Sequence, residues 1–199
     1  MGAVAHCHSF VLNNVYFDSE NVLMKTLKLG ELTKKDADLI IAARNAADNA
    51  YAPYSGFAVG AAARTTEGTI HIGANLENAS YGLGLCAEVS ALTAANTSGD
   101  FDRIEAIAVV GFGFFPEMHL SEIVMPCGRC RQLISESAQL SGTDIDVFAC
   151  SGDLERIEQH KISELLPRAF GPQSLQSTNP AKPTQSTPPE NHKRLLRKS

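Results

Sequence analysis

Two short cysteine motifs constrain this chain more than any other feature. One covers residues 86–88 (Cys-Ala-Glu), and the other covers residues 126–130 (Pro-Cys-Gly-Arg-Cys). Each motif stands where a helical segment is predicted to begin. The unpaired N–H groups and the dipole of a helix N-terminus stabilise a thiolate. The sequence therefore predicts a fold that brings the starts of two helices together.

The three cysteines form a pattern typical of a catalytic zinc site. Cys127 and Cys130 lie one helical turn apart, so both sulfurs can reach one ion, and Cys86 would come from the neighbouring helix. Three protein ligands leave the fourth tetrahedral position of zinc to a water, whose pKa the metal lowers. Glu88 follows Cys86 closely enough to act as a proton shuttle without binding the metal.

This combination matches the pattern of zinc deaminases, in which three cysteines can hold the metal and a glutamate outside the ligand set is the acid and base. The alternatives are a structural zinc site and buried free cysteines. A structural site needs a fourth protein ligand. Cys150 and the six histidines are the candidates for that ligand.

Hydrophobic periodicity predicts the element order helix, strand, strand, helix, strand, helix, strand. This order is typical of an α/β domain with a mixed sheet in two or three layers. Thr33 is the predicted N-cap of the first helix, and Pro53 is predicted to end it. The predicted strands cover residues 57–63, 69–73, 104–111 and 145–150, the later helices cover residues 86–95 and 126–138, and a short helical turn covers 162–166.

The chain divides into a catalytic domain and two flanking segments. Residues 1–31 show no clear periodicity and are interpreted as an N-terminal extension. Residues 32–172 carry the predicted domain. Residues 173–199 are rich in Ser, Thr, Gln and Pro and are predicted to be a disordered tail.

Composition weighs against some functions. The formal net charge of -5 weighs against a nucleic-acid partner, which usually meets a basic face. No apolar run is long enough to span a bilayer, so no membrane partner is expected. The odd count of 5 cysteines with one C-x-x-C pair favours metal binding over a disulfide framework, and a reducing, cytoplasmic location is expected.

Several motifs in order resemble the small homotetrameric zinc-dependent cytidine deaminases. The matching segments are residues 51–62, 75–81, 86–88, 126–132 and 165–172. The resemblance implies a three-layer α/β/α fold and a homotetramer with sites at subunit interfaces. It implies hydrolysis of cytidine, 2′-deoxycytidine or both to the uridine product and ammonia, as in pyrimidine salvage.

The resemblance also assigns substrate contacts. Asn75 and Glu77 would hydrogen-bond the ribose 3′-hydroxyl, Phe57 would pack on the pyrimidine, and the backbone at Ala87 and Cys127 would contact the base. Without the resemblance, core packing would be the ordinary interpretation of Phe57 and of Phe170, and loop polarity that of Asn75 and Glu77.

Two further aromatic residues and one departure complete the assignment. Tyr81 and Phe170 would reach into the site of a neighbouring subunit. Many relatives with three cysteines carry an arginine directly after the glutamate, where this chain has Val89. Arg129, inside the C-x-x-C pair, is the candidate for the missing positive charge beside the thiolates. The alternative for Arg129 is an exposed arginine without a role.

Three competing functions are weighed. A related deaminase could act on another aminopyrimidine nucleoside, such as a nucleoside antibiotic. A nucleic-acid editor is disfavoured because no Lys/Arg cluster flanks the motifs. A catalytically dead nucleoside-binding protein is disfavoured because Glu88 is intact.

Overall fold

The structure, a computed structural model, describes residues 26–115 and 122–175, which form five strands and five helices. The strands are β1 (Phe57–Thr65), β2 (Ile70–Ala74), β3 (Ile104–Gly113), β4 (Asp146–Ser151) and β5 (Ile157–Lys161). The helices are α1 (Lys34–Ala47), α2 (Ala87–Ser98), α3 (Gly128–Ser141), α4 (Ile162–Leu165) and α5 (Pro172–Leu175). Short 3-10 turns occupy Leu29–Glu31, Tyr81–Leu83 and Phe101–Arg103.

The five strands form one mixed sheet in the order β2-β1-β3-β4-β5. β1 pairs antiparallel with both β2 and β3, β3 pairs parallel with β4, and β4 pairs antiparallel with β5. The β1–β2 hairpin turns through Glu67 and Gly68, whose φ of 90° suits glycine. The mixed α/β fold predicted from the element order is therefore confirmed.

Each face of the sheet is covered by its own apolar cluster, so the domain has three layers. On one face, Leu39, Ile40 and Ala43 of α1 pack on Ala62 and its neighbours. On the other face, the helices α2 and α3 pack on the strands through a second cluster. Its members include Ala61, Ala63, Ala91, Leu92, Ile107 and Ile134. Consecutive strand residues thus point to opposite layers.

Two glycines allow the helices to lie unusually close to the strands. A Cβ at Gly60 would overlap backbone atoms of Ala43 and Ala47 in α1. A Cβ at Gly73 would overlap the Ala91 nitrogen and the Ala87 carbonyl of α2. Glycine at position 73 therefore sets how closely the first turn of α2 approaches β2.

The structure differs from the predicted elements at β5 and at the end of the first helix, among other places. β5 was not predicted because only Ile157 and His160 of its five residues are buried, which leaves no apolar alternation. The first helix was predicted to end at Pro53 but ends at Ala47. The chain turns there because Tyr51 pairs with the backbone of the segment that follows β2.

The packed unit extends past both predicted domain boundaries. Leu27, within the predicted extension, exchanges two backbone hydrogen bonds with Ile157 at the edge of β5. The helix α5 continues to Leu175, within the predicted tail. The remainder of both predicted segments lies outside the described residues. In the part of the chain that is described, no helix has the length and apolarity needed to cross a bilayer.

Candidate active site

The N-termini of α2 and α3 meet at one point above the sheet. Cys86 is the N-cap of α2, Cys127 is the N-cap of α3, and Cys130 lies in the first turn of α3. The Cys86 and Cys127 sulfurs are 3.9 Å apart, and the Cys127 and Cys130 sulfurs are 3.5 Å apart. All three lie within 4.8 Å of one another. The structure thus brings together the three cysteines that the motifs singled out.

This sulfur cluster fits a zinc ion. Tetrahedral zinc with Zn–S bonds of about 2.3 Å requires sulfurs about 3.8 Å apart, close to the separations observed. Cys150 is buried in the apolar core between α1 and the sheet, on the face of the sheet opposite the three sulfurs. It is therefore no fourth ligand, and among the described residues no histidine joins the three sulfurs, so this three-cysteine set matches an open, catalytic site rather than a closed, structural one.

The thiols need a cation if they are to ionise together. Burial, followed by the charge of Glu88, raises the pKa of the Cys130 thiol far above its usual value. Burial likewise raises the pKa of the Cys86 thiol. Burial opposes ionisation of Cys127 too, but the donor groups of Cys130, Cys86 and Arg129 around its sulfur outweigh burial and lower the pKa of that thiol. A dication supplies the charge that lets all three become thiolates.

Glu88 lies beside this cluster in the first turn of α2. The residue is only 4% exposed, and its carboxylate faces the Cys130 thiol. Burial raises the pKa of the Glu88 carboxyl above its usual value. A buried carboxyl whose pKa is shifted towards neutrality suits a group that both accepts and releases protons.

A cleft of about 300 Å³ opens over Glu88 and the cysteines. This volume is at the lower end of the range found for small-molecule sites. Its walls come from β1, from the segment after β2, from the starts of α2 and α3, and from the segment before α3. The lining residues are Val59, Asn75, Leu76, Glu77, Gly84, Leu85, Cys86, Ala87, Glu88, Val124, Met125 and Cys127.

Asn75 and Glu77 stand in the cleft wall and are held by the chain around β1. The Asn75 amide accepts from the Val59 N–H at 2.9 Å and donates to the Phe57 carbonyl at 3.0 Å. Glu77 Oε2 accepts from the N–H groups of Tyr54 and Ser55. The Ser55 side chain and these N–H groups lower the pKa of the Glu77 carboxyl. Both side chains are thus positioned before any ligand arrives.

Of the other predicted contact residues, one lines this cleft, one borders it, and two lie outside it. Ala87 is fully buried in its wall. The Phe57 ring covers Gly111 beside Val124, at the border of the cleft. Tyr81 lines an adjoining pocket of about 370 Å³ and is 79% exposed. Phe170 is 62% exposed and lies along α3.

Arg129 is exposed, and its guanidinium donates to the Gly84 carbonyl at 3.4 Å. The sequence-based hypothesis placed the positive charge of this guanidinium beside the thiolates. The structure instead links it to the loop that leads into Cys86. Arg129 and Val89 line the same groove between α2 and α3.

Sequence reasoning assigned no role to six residues of the cleft wall. Two of them, Val59 and Leu76, lie within segments that carry the resemblance, and the other four lie outside those segments. Gly84 and Leu85 precede the first motif, and Val124 and Met125 precede the second. Leu85 enters the wall through backbone pairing with Leu76, and Val124 enters it by pairing with Cys150. Their proximity to the two motifs was the only available signal, since none of them carries a reactive group.

Comparison with known proteins gives a consistent result. The family described as the cytidine and deoxycytidylate deaminase zinc-binding region matches residues 33–141. The cytidine deaminase of Halalkalibacterium halodurans is 44% identical over 132 residues, which is 66% of this chain and 91% of the relative. That of Mycobacterium tuberculosis is 38% identical over 129 residues, which is 65% of this chain and 84% of the relative.

Solved structures agree with the sequence matches. The crystal structure of cytidine deaminase from Burkholderia pseudomallei matches with a TM-score of 0.59 and 38% identity, and covers 70% of this chain and 100% of that one. The Mycobacterium tuberculosis structure matches with a TM-score of 0.53 and 37% identity, and covers 67% and 95% of the two chains. These matches span the domain that carries the cluster of three cysteines, and we conclude that the chain belongs to the family of zinc-dependent cytidine and deoxycytidylate deaminases.

Proposed function

We propose that the protein deaminates free cytidine, 2′-deoxycytidine or both by hydrolysis, giving the uridine product and ammonia in pyrimidine salvage. The observation that carries this proposal is the buried Glu88 carboxyl next to three convergent thiols at the bottom of a small cleft. The relatives named cytidine deaminase support it.

The residues divide the work between metal binding and proton transfer. Cys86, Cys127 and Cys130 would hold zinc, which lowers the pKa of a water and so supplies the nucleophile. Glu88 takes two protons in turn from the attacking water and delivers the first to ring nitrogen N3 and the second to the exocyclic amine. A C4–O bond forms, the C4–N bond breaks, and the amine leaves as ammonia. Glu88 ends in its original protonation state.

The cleft favours a nucleoside over a nucleotide. Among the described residues, neither this cleft nor the adjoining pocket is lined by lysine or arginine, and Glu77 belongs to both walls. A carboxylate repels a phosphate, whereas an amide and a carboxylate can bracket a hydroxyl that donates and accepts. We assign Asn75 and Glu77 to the ribose 3′-hydroxyl, Phe57 to the pyrimidine face, and the backbone of Ala87 and Cys127 to the base.

The active form is proposed to be a cytoplasmic homotetramer in which Tyr81 and Phe170 complete a neighbouring site. Large exposed aromatic side chains are typical of interaction surfaces. The exposed fractions of Tyr81 and Phe170 in the single chain support this assignment. A fully active monomer in sedimentation experiments would contradict it.

The test is the loss of cytidine absorbance with purified protein, run in parallel with 2′-deoxycytidine and 2′-deoxycytidylate. We expect turnover of at least one nucleoside, little turnover of the nucleotide, one zinc per chain, and loss of activity with a chelator that zinc reverses. Nucleoside binding without turnover in zinc-loaded protein would indicate a binding protein instead. Turnover confined to another aminopyrimidine nucleoside would favour the antibiotic-deaminase alternative.

A further inference from the structure

Phe170 combines an exposed side chain with a tightly held backbone. The residue is 62% exposed, so it lacks most of the apolar burial that an aromatic side chain normally provides. Its carbonyl nevertheless accepts a hydrogen bond of 2.7 Å from Gln132 Nε2. An apolar side chain on a fixed backbone is suited to enter a site on another molecule, because little conformational entropy remains to be lost on docking.

Other contacts fix the chain on both sides of Phe170. Directly after it, Gly171 lies so close to α3 that a Cβ there would overlap the Gln139 side chain. Before it, the carbonyl of Leu165 accepts from Arg131 Nη1 at 3.2 Å. Residues 165–171 therefore form a strap along α3.

The strap is attached to the same helix that presents the metal ligands. Gln132 follows Cys130 by two residues, and Arg131 between them also donates through Nε to the Pro126 carbonyl at 2.8 Å. Pro126 directly precedes Cys127. The first turns of α3 thus fix two sulfurs of one site and, on another side of the helix, the backbone of Phe170.

We propose that Gln132 is a positioning residue for catalysis, which holds Phe170 where its ring completes the substrate cleft of a second copy of this chain. This inference rests on the proposed function, in which Phe170 reaches a neighbouring site. Gln132 acts through Phe170 and does not touch the substrate. Its loss therefore weakens nucleoside binding and leaves the chemistry of the cysteines and Glu88 intact.

The test is a double-mutant cycle with Gln132→Met and Phe170→Ala. Methionine keeps the length and adds no charge but cannot donate to the carbonyl. A lost hydrogen bond of 0.5–1.5 kcal/mol corresponds to an increase in KM of roughly 2- to 12-fold. We expect this increase for Gln132→Met, with kcat and zinc content unchanged, and a larger one for Phe170→Ala. The double variant should match Phe170→Ala alone, since the hydrogen bond has nothing left to position.

A matched control is Gln159→Met on β5. The Gln159 amide donates to Asp146 of the neighbouring strand β4 at 3.0 Å, and neither residue belongs to the strap or the cleft. The Gln159→Met variant should leave KM unchanged. Independent, multiplying effects of Gln132→Met and Phe170→Ala would overturn the inference, as would a loss of zinc in Gln132→Met. An unchanged KM in Phe170→Ala would also overturn it, while cytidine turnover in that variant would leave the proposed reaction standing.

Discussion

The three long helices begin with the same backbone conformation but use their N-termini differently. The N-cap dihedral angles φ and ψ are -64° and 154° at Thr33, -72° and 154° at Cys86, and -68° and 168° at Cys127. The Thr33 hydroxyl accepts the Asp36 N–H and so caps α1. Cys86 and Cys127 instead turn their sulfurs to the shared cluster and make no side-chain capping hydrogen bond.

One face of the sheet thus uses its helix N-terminus for stability, and the other face uses its helix N-termini for chemistry. On the α1 face, the capping residue and its partners make hydrogen bonds and ion pairs with one another. Asp36 also binds Arg64 at 2.8 Å, and Arg64 binds Glu105 at 2.7 Å. On the opposite face, the free N–H groups and dipoles of two helices are left to stabilise thiolates. The catalytic face therefore gives up helix capping in exchange for a metal site.

The largest effect is expected for Cys127→Ser. A serine hydroxyl is a poor zinc ligand because it stays protonated at neutral pH, so the variant should lose bound zinc and nearly all turnover. Metal analysis and the cytidine assay measure both. Cys150→Ala, which removes the buried cysteine on the α1 face, is the control and should keep one zinc per chain. Equal zinc loss in both variants would contradict the proposal that only the face under α2 and α3 carries the metal site.

The next largest effect is expected for Glu88→Gln. Only proton transfer is removed, so turnover should fall by about 10²- to 10⁴-fold while zinc and nucleoside binding persist. Stopped assays at saturating cytidine, with zinc analysis of the same samples, test this. Glu67→Gln in the β1–β2 turn is the exposed control. Near-normal turnover in Glu88→Gln would mean that another group moves the protons.

A smaller effect, on stability, is expected for Asp36→Asn. Burial acts to raise the pKa of Asp36, but the bonds from Thr33 and Arg64 outweigh it and hold that pKa below its usual value. The ionised carboxylate therefore stabilises the fold above its unfolded pKa of about 3.9, and this stabilisation is lost as the pH falls through the lower folded value. The variant should be less stable at pH 7 by about 1.5–3 kcal/mol, and the gap should narrow in acid.

Denaturant unfolding of metal-free wild-type and variant proteins at pH 7 and pH 3 measures this gap and avoids loss of zinc in acid. Asp38→Asn is the control, because the Asp38–Lys34 ion pair is exposed and should contribute little. A stability gap for Asp36→Asn that stays constant between the two pH values would exclude the ionised form as its source.

The smallest effects are expected from removing the N-cap of α1 and from introducing a capping side chain at the start of α3. Thr33→Ala should lower the free energy of unfolding by about 1 kcal/mol without changing kcat. In metal-free protein, Cys127→Ser should raise that free energy by up to about 1 kcal/mol, because serine is a preferred N-cap in this backbone conformation. A fall in stability for metal-free Cys127→Ser would show that the sulfur already stabilises α3 as well as a cap does.

The parts of the molecule that sequence reasoning predicted correctly depend on short-range chemistry. The cap at Thr33 is set by residues within one turn, and so is the one-turn spacing of Cys127 and Cys130. β1 and β3 were found because they are buried on both faces and read as continuous apolar runs. β5 was missed because its only buried residues, Ile157 and His160, are three positions apart, so its sequence carries no alternation of apolar and polar residues.

The sequence by itself determined the reactive groups, namely three thiols with a neighbouring carboxyl, and the family and mixed α/β fold that hold them. Only the tertiary structure decided that Cys150 lies across the sheet from the cluster, that Arg129 is linked to Gly84, and that Val124 and Met125 form part of the cleft. The physical reason is the distance along the chain over which each property is set. Ligand type and helix start are local properties, whereas the meeting of α2 and α3 depends on close packing over the sheet, which glycines such as Gly73 permit.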